Sequence, residues 1–198
     1  MIDEALDKYL QQMSVVKMRQ SVISNILKKR NSTGYVYSDI EISVLEIRKI
    51  IELIAMGSLV SNIEDFSKIH DKYATYWNAR LMFKDIERIN KDFFPEPISI
   101  KKSKKVDEFV KLKSGYLNKE EAISLYLKCG EFLHEDNPYR KPHDIEYYRN
   151  NLPIWNSKII NLLNRHLIHL CNGNFYFVVM QSLENGKPSG NIFEPFSK

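Results

Sequence analysis

Pro153-Ile-Trp-Asn-Ser-Lys-Ile-Ile-Asn-Leu-Leu-Asn-Arg-His-Leu-Ile-His-Leu-Cys-Asn-Gly173 decides how the last third of the chain is read. At a period of about 3.6 residues, Trp155, Ile159, Leu162, Leu163, His166 and Leu170 fall on one face. Pro142 or Pro153 suits the first turn of this helix, and Gly173 suits a stop. The stretch predicts a last long helix, and with it a bundle that is helical almost to its end.

Just upstream, Tyr126 to His143 reads Tyr-Leu-Lys-Cys-Gly-Glu-Phe-Leu-His-Glu-Asp-Asn-Pro-Tyr-Arg-Lys-Pro-His. Glu131, His134, Asn137, Tyr139, Arg140 and His143 crowd together there, which makes it the candidate polar site. Asn118-Lys-Glu-Glu121 has the form of a capping box and opens a helix through Ala122, Tyr126, Cys129 and Leu133. Asn137-Pro138 ends it, because the residue before proline avoids the α region.

The first half is helical by the same test. Leu6, Tyr9, Met13, Val16, Gln20 and Ile23 step by threes and fours, a heptad seam broken only by Gln20. Such a seam either packs inside the protein's own bundle or meets a partner chain; these six residues are the candidate partner-binding set. Ser38-Asp-Ile-Glu41 predicts a capping box, with Tyr37 and Ile42 as its hydrophobic staple. The helix after it, through Ile40, Val44, Leu45, Ile47, Ile50, Ile51, Ile54 and Met56, is apolar around more than half its girth and should be central. Ser61-Asn-Ile-Glu64 predicts another box, opening a helix with the stripe Phe66, Ile69, Tyr73, Trp77, Leu81.

Two segments break the helical pattern. Ile98–Lys102 and Val106–Lys113 alternate weakly and suggest an edge hairpin. Phe175–Met180 is strand-like, turns around Asn185-Gly186 and returns through Asn191–Phe196. The expected architecture is therefore mainly α: one domain over 1–198, a helical bundle of about five helices with a small β appendage and a C-terminal β-hairpin. Its parts are a long helix at 1–30, core helices at 37–90, a β excursion at 95–116, helices at 118–172 and the hairpin at 174–196.

Composition narrows the function. Lys and Arg number 29 against 25 acidic residues, a net charge of +4, so charge does not indicate nucleic acid as a partner. The two cysteines, Cys129 and Cys171, form no CxxC pair and predict no disulfide framework. No apolar run approaches the roughly 18 residues needed to cross a membrane, and the N-terminus does not read as a signal peptide; a cytoplasmic location is expected.

Glu131 and His134 share a helical face, but di-iron bundles need a second Glu-x-x-His and two further glutamates, which are missing. No metal and no cofactor are expected. Nucleotide loops and hydrolase elbows find no motif either.

Two resemblances bear on function. Cys129-Gly130, Leu133-His134 and Asn137-Pro138 resemble a CG-x-x-LH-x-x-NP signature of uncharacterised bacterial proteins. Arg165 and His169 on the last helix resemble the arginine and histidine of HEPN nucleases, small helical bundles, although their spacing is shorter than that motif's. That resemblance implies a metal-independent ribonuclease with Arg165 holding phosphate and His169 as acid or base; otherwise both side chains solvate a helix end. The primary expectation is a non-catalytic accessory subunit of a bacterial multiprotein complex. It would act through a protein partner or as a homo-oligomer, in a setting of nucleic-acid processing or phage defence.

Overall fold

The structure, a computed structural model, describes residues 2–67, 78–102, 108–136, 138–139, 141–181 and 185–194. Among them are six helices and five strands: α1 (Ile2–Leu27), α2 (Val36–Ser61), α3 (Ile63–Phe66), α4 (Ala79–Glu87), β1 (Glu96–Lys101), β2 (Glu108–Lys111), α5 (Lys119–Phe132), α6 (Ile145–Leu163), β3 (Arg165–His169), β4 (Phe175–Val179) and β5 (Ser189–Phe193). The protein is mainly helical, but its β part is a single five-stranded antiparallel sheet of order β2-β1-β3-β4-β5. That is more than a small appendage. No helix among the described residues is long and apolar enough to cross a membrane.

The difference arises in Arg165–His169. The expected last helix stops at Leu163, with Asn164 as its C-cap, and the chain turns directly into the central strand. His166, Leu167 and Ile168 are all buried, because a middle strand is covered on both faces. Such a run carries no alternation to separate it from a helix. Gly173, expected to stop a helix, instead sits at φ +88 in the β3–β4 turn, a conformation that favours glycine. There the Leu170 N–H donates to the Asn174 carbonyl at 2.8 Å.

Helix α2 is the centre of the bundle, as its pattern predicts. Ile40, Val44, Ile47, Ile50, Ile51 and Ile54 are all buried, and α1, α3, α4, α5 and α6 pack around it. The seam of α1 closes against α2 and the inner sheet face: Leu6, Tyr9, Met13, Val16 and Ile23 are buried inside the protein. This corrects their assignment to a partner-binding surface. Gln20 is half-buried on the same helix, and its Nε2 has no hydrogen-bond partner among the described residues. Gly57 lets α1 approach, since a Cβ there would stand 2.9 Å from the Tyr9 ring.

Capping chemistry is used unevenly. Asn118 and Glu121 form the expected reciprocal box on α5. Helix α2 instead begins at Val36 with no side-chain cap. Asp39 turns back to the preceding loop, accepting from Ser32 Oγ at 2.6 Å and from Thr33 N at 2.8 Å. Tyr37 stacks on Phe132. Ser61 lies inside α2, and the following one-turn helix α3 has Asn62 as an N-cap without a side-chain bond. Pro153 is not in a first turn: α6 opens at Asp144, whose carboxylate accepts from Tyr147 N at 3.0 Å, and the proline lies mid-helix on its exposed side. Of the aromatic stripe, Phe66 is buried and Leu81 is exposed, while Ile69, Tyr73 and Trp77 lie outside the described residues.

Candidate functional site

The Tyr126–His143 segment resolves into structural parts. Cys129 is buried in the core, and burial pushes its thiol up to about 12, which makes it a poor nucleophile. Gly130 makes room for Arg48 of α2, because a Cβ at Gly130 would stand 2.5 Å from the arginine Nη1. The guanidinium lies 4.1 Å over the Tyr126 ring, donates to the Tyr126 hydroxyl at 2.8 Å and to its carbonyl at 3.3 Å, and approaches Glu52 at 3.5 Å. Arginine suits this role, since its planar fork can stack and donate at once.

Beyond Phe132, the last residue of α5, the segment becomes a surface turn. Glu131, His134, Asp136 and Tyr139 are exposed, with Tyr139 at 95%. His143 folds back onto the ring of Phe132 and pairs with Asp136, which also accepts the His143 backbone N–H at 3.2 Å. Phe132 in turn packs 4.1 Å from the Tyr148 ring. Arg149, one conceivable partner for Glu131, pairs with Glu146 instead. Asn137 and Arg140 lie outside the described residues. The aromatic contacts of Phe132 with His143 and Tyr148 anchor the turn. Among the described residues no three metal-ligating side chains come together.

Arg165 and His169 sit on β3 rather than on a helix. Four residues apart on a strand they share a face but stand about 13 Å apart along it, whereas on a helix they would be neighbours. His169 lies 3.6 Å from Glu96, which also holds Lys111 at 2.9 Å. Sequence reasoning had passed over Glu96; only the pairing of β1 with β3 brings it there.

His166 has a separate and structural role. It is fully buried, donates from Nδ1 to the Leu163 carbonyl at 2.8 Å and accepts at Nε2 from the Tyr9 hydroxyl at 2.7 Å. Burial pushes its pKa down to about 4, so it stays neutral and ties α1 to the sheet.

The outer sheet face carries a separate aromatic cluster. Phe175 and Phe193 stack at 5.5 Å across β4 and β5, and Phe177 and Phe193 approach at 6.4 Å. Phe109 of β2 reaches to 4.9 Å from Phe177 although two strands lie between them, a separation of about 14 Å in a flat sheet. The β1–β2 hairpin therefore curls over this face, leaving Leu167 and Ile98 buried. Phe109 and Phe193 each remain 39% exposed. Among the described residues β5 is an edge strand: Ser189-Gly-Asn-Ile-Phe193 contains no charge and no proline, the usual guards of such a strand. Comparison with family models, curated proteins and solved structures finds no match to this chain.

Proposed function

We propose that the protein is a non-catalytic interaction subunit, and that the aromatic outer face with the β5 edge is its docking surface. The half-exposed phenylalanine cluster beside an edge strand that lacks charge and proline, among the described residues, carries this reading. An extended segment of a protein partner would add to β5 through backbone hydrogen bonds and set alternate side chains against Phe193 and Phe175. A strand addition of this kind uses no catalytic residue. The accessory role in a bacterial multiprotein complex, beside nucleic-acid processing or phage defence, rests on this surface together with the sequence resemblance.

The test is a pull-down of the full chain from its host, beside Ser189→Lys and Phe193→Lys variants. Both positions are exposed, so the fold should tolerate the charges. A stoichiometric partner held by the native chain and lost by both variants supports the reading. A monomer that retains nothing, or a partner held equally by both variants, refutes it.

The ribonuclease reading stays second. His169 beside Glu96 has the form of an oriented general base, but Arg165 is too far along the strand to share its phosphate. RNA cleavage that His169→Ala abolishes without lowering Tm would reverse the order.

A further inference from the structure

A cleft of about 300 Å³ opens between the end of α1, the α1–α2 connection and α6. Its apolar walls come from Leu27, Val36, Ile40 and Leu152, and Lys29 and Arg149 stand among its lining residues. The volume is at the lower end of small-ligand sites, and the combination of apolar lining with a few polar groups is what such sites present.

The charges do not cancel. Among the described residues Asp39 is the one carboxylate lining the cleft; it stays ionised, its charge turned to the α1–α2 connection by bonds from Ser32 and from both the backbone N–H and hydroxyl of Thr33, which hold its carboxyl below the ordinary range. Among the described residues no carboxylate pairs with Lys29. Among the described residues Arg149 pairs with Glu146, at 3.3 Å and with both side chains well exposed, an ion pair of little strength. The lining thus sets two cations, one of them only weakly paired, against a single carboxylate beside an apolar floor. The end of α1 is itself fixed: Lys29 takes φ 55, its N–H donates to the Ile26 carbonyl at 2.9 Å, and Arg30 N donates to the Asn25 carbonyl at 2.8 Å.

The geometry points to a binding site for a small carboxylate with an apolar body of about ten non-hydrogen atoms in all. The hydrocarbon lies against Leu27, Val36, Ile40 and Leu152, and the carboxylate lies between Lys29 and Arg149. A neutral ligand of the same shape loses the two charged contacts, and a cationic one is repelled. This site is independent of the sheet surface, so either reading can fail alone.

Sodium octanoate is the probe, titrated into the full chain and followed by isothermal calorimetry and by amide chemical shifts, with octanol and octyltrimethylammonium as controls. Saturable binding at or below the millimolar range is expected, with shifts centred on Leu27, Lys29, Val36 and Leu152. Octanol should bind at least tenfold more weakly, and octyltrimethylammonium not at all. Lys29→Glu with Arg149→Glu should weaken octanoate at least tenfold while leaving the ligand-free Tm unchanged, since both residues are exposed. Val36→Trp, also at an exposed position, should fill the cleft and abolish binding. The proposal is overturned by failure to saturate, by equal affinity for octanol, or by unchanged affinity in the double variant.

Discussion

Lowering pH should loosen the join between α1 and the sheet, and the buried pair of Tyr9 and His166 sets how much. His166 is ordinarily half-protonated near 6.5, but burial brings it down to about 4 in the folded protein. The unfolded chain therefore takes up a proton that the folded chain refuses. The stabilising contribution is complete above the unfolded value and drains away as pH falls from there towards about 4. Each unit of difference corresponds to about 1.4 kcal/mol; between about pH 7 and about pH 5 the linkage relation gives a loss of about 2 kcal/mol from this one histidine. Urea unfolding of the native chain and of His166→Gln over that range measures it. The variant is weaker throughout, having lost two buried hydrogen bonds, so the slopes are compared rather than the absolute values. The native slope should exceed the variant's by about 1 kcal/mol per pH unit. Parallel curves would refute the reasoning, as would a His166 ring proton whose NMR shift titrates near the ordinary value in the folded state.

Three further substitutions test the packing. Gly130→Ala gains up to about 1 kcal/mol of helix propensity but displaces Arg48, whose charge-assisted bonds to Tyr126 contribute more than that; it should destabilise by about 1 kcal/mol in the native chain and stabilise in an Arg48→Ala background, and the same sign in both would refute the close approach. Gly57→Ala drives a Cβ against the Tyr9 ring that His166 holds in place, so a net loss of about 1–3 kcal/mol in chemical denaturation is expected. Asn118→Ala removes a cap that also orients Glu121 and should lower stability by about 1 kcal/mol, seen as a reduced Tm.

The helices were legible where one face of a periodic pattern had to be buried. Ile47, Ile50, Ile51 and Ile54 wrap so much of α2 in apolar surface that only a central position satisfies them. The heptad seam of α1 was equally visible, but periodicity shows that a face must be covered without showing by what. Here α2, Tyr176 and His166 cover it from within the chain. The β3 strand was hidden for the converse reason. Leu162, Leu163, His166 and Leu170 continue the helical spacing unbroken, and a strand covered on both faces offers no alternation against it. One local signal did stand against the helix: Asn172-Gly173 between Arg165–His169 and Phe175–Val179 is the same hairpin dipeptide as Asn185-Gly186.

The site was harder to read because its parts are joined by long-range pairing. Gly130 looked like a feature of a polar motif, yet its reason is a guanidinium from α2, far earlier in the chain. Phe109, Phe177 and Phe193 come from three separate strands and meet only because the β1–β2 hairpin curls over the sheet. Buried polar residues such as His166 are held by partners that the fold supplies. The exposed phenylalanines instead keep part of their rings in solvent, and among the described residues they adjoin an edge strand that carries neither charge nor proline. Both unsatisfied features, apolar area and unpaired backbone, are relieved by one event, the addition of a strand, and that economy is the physical case for an interface there.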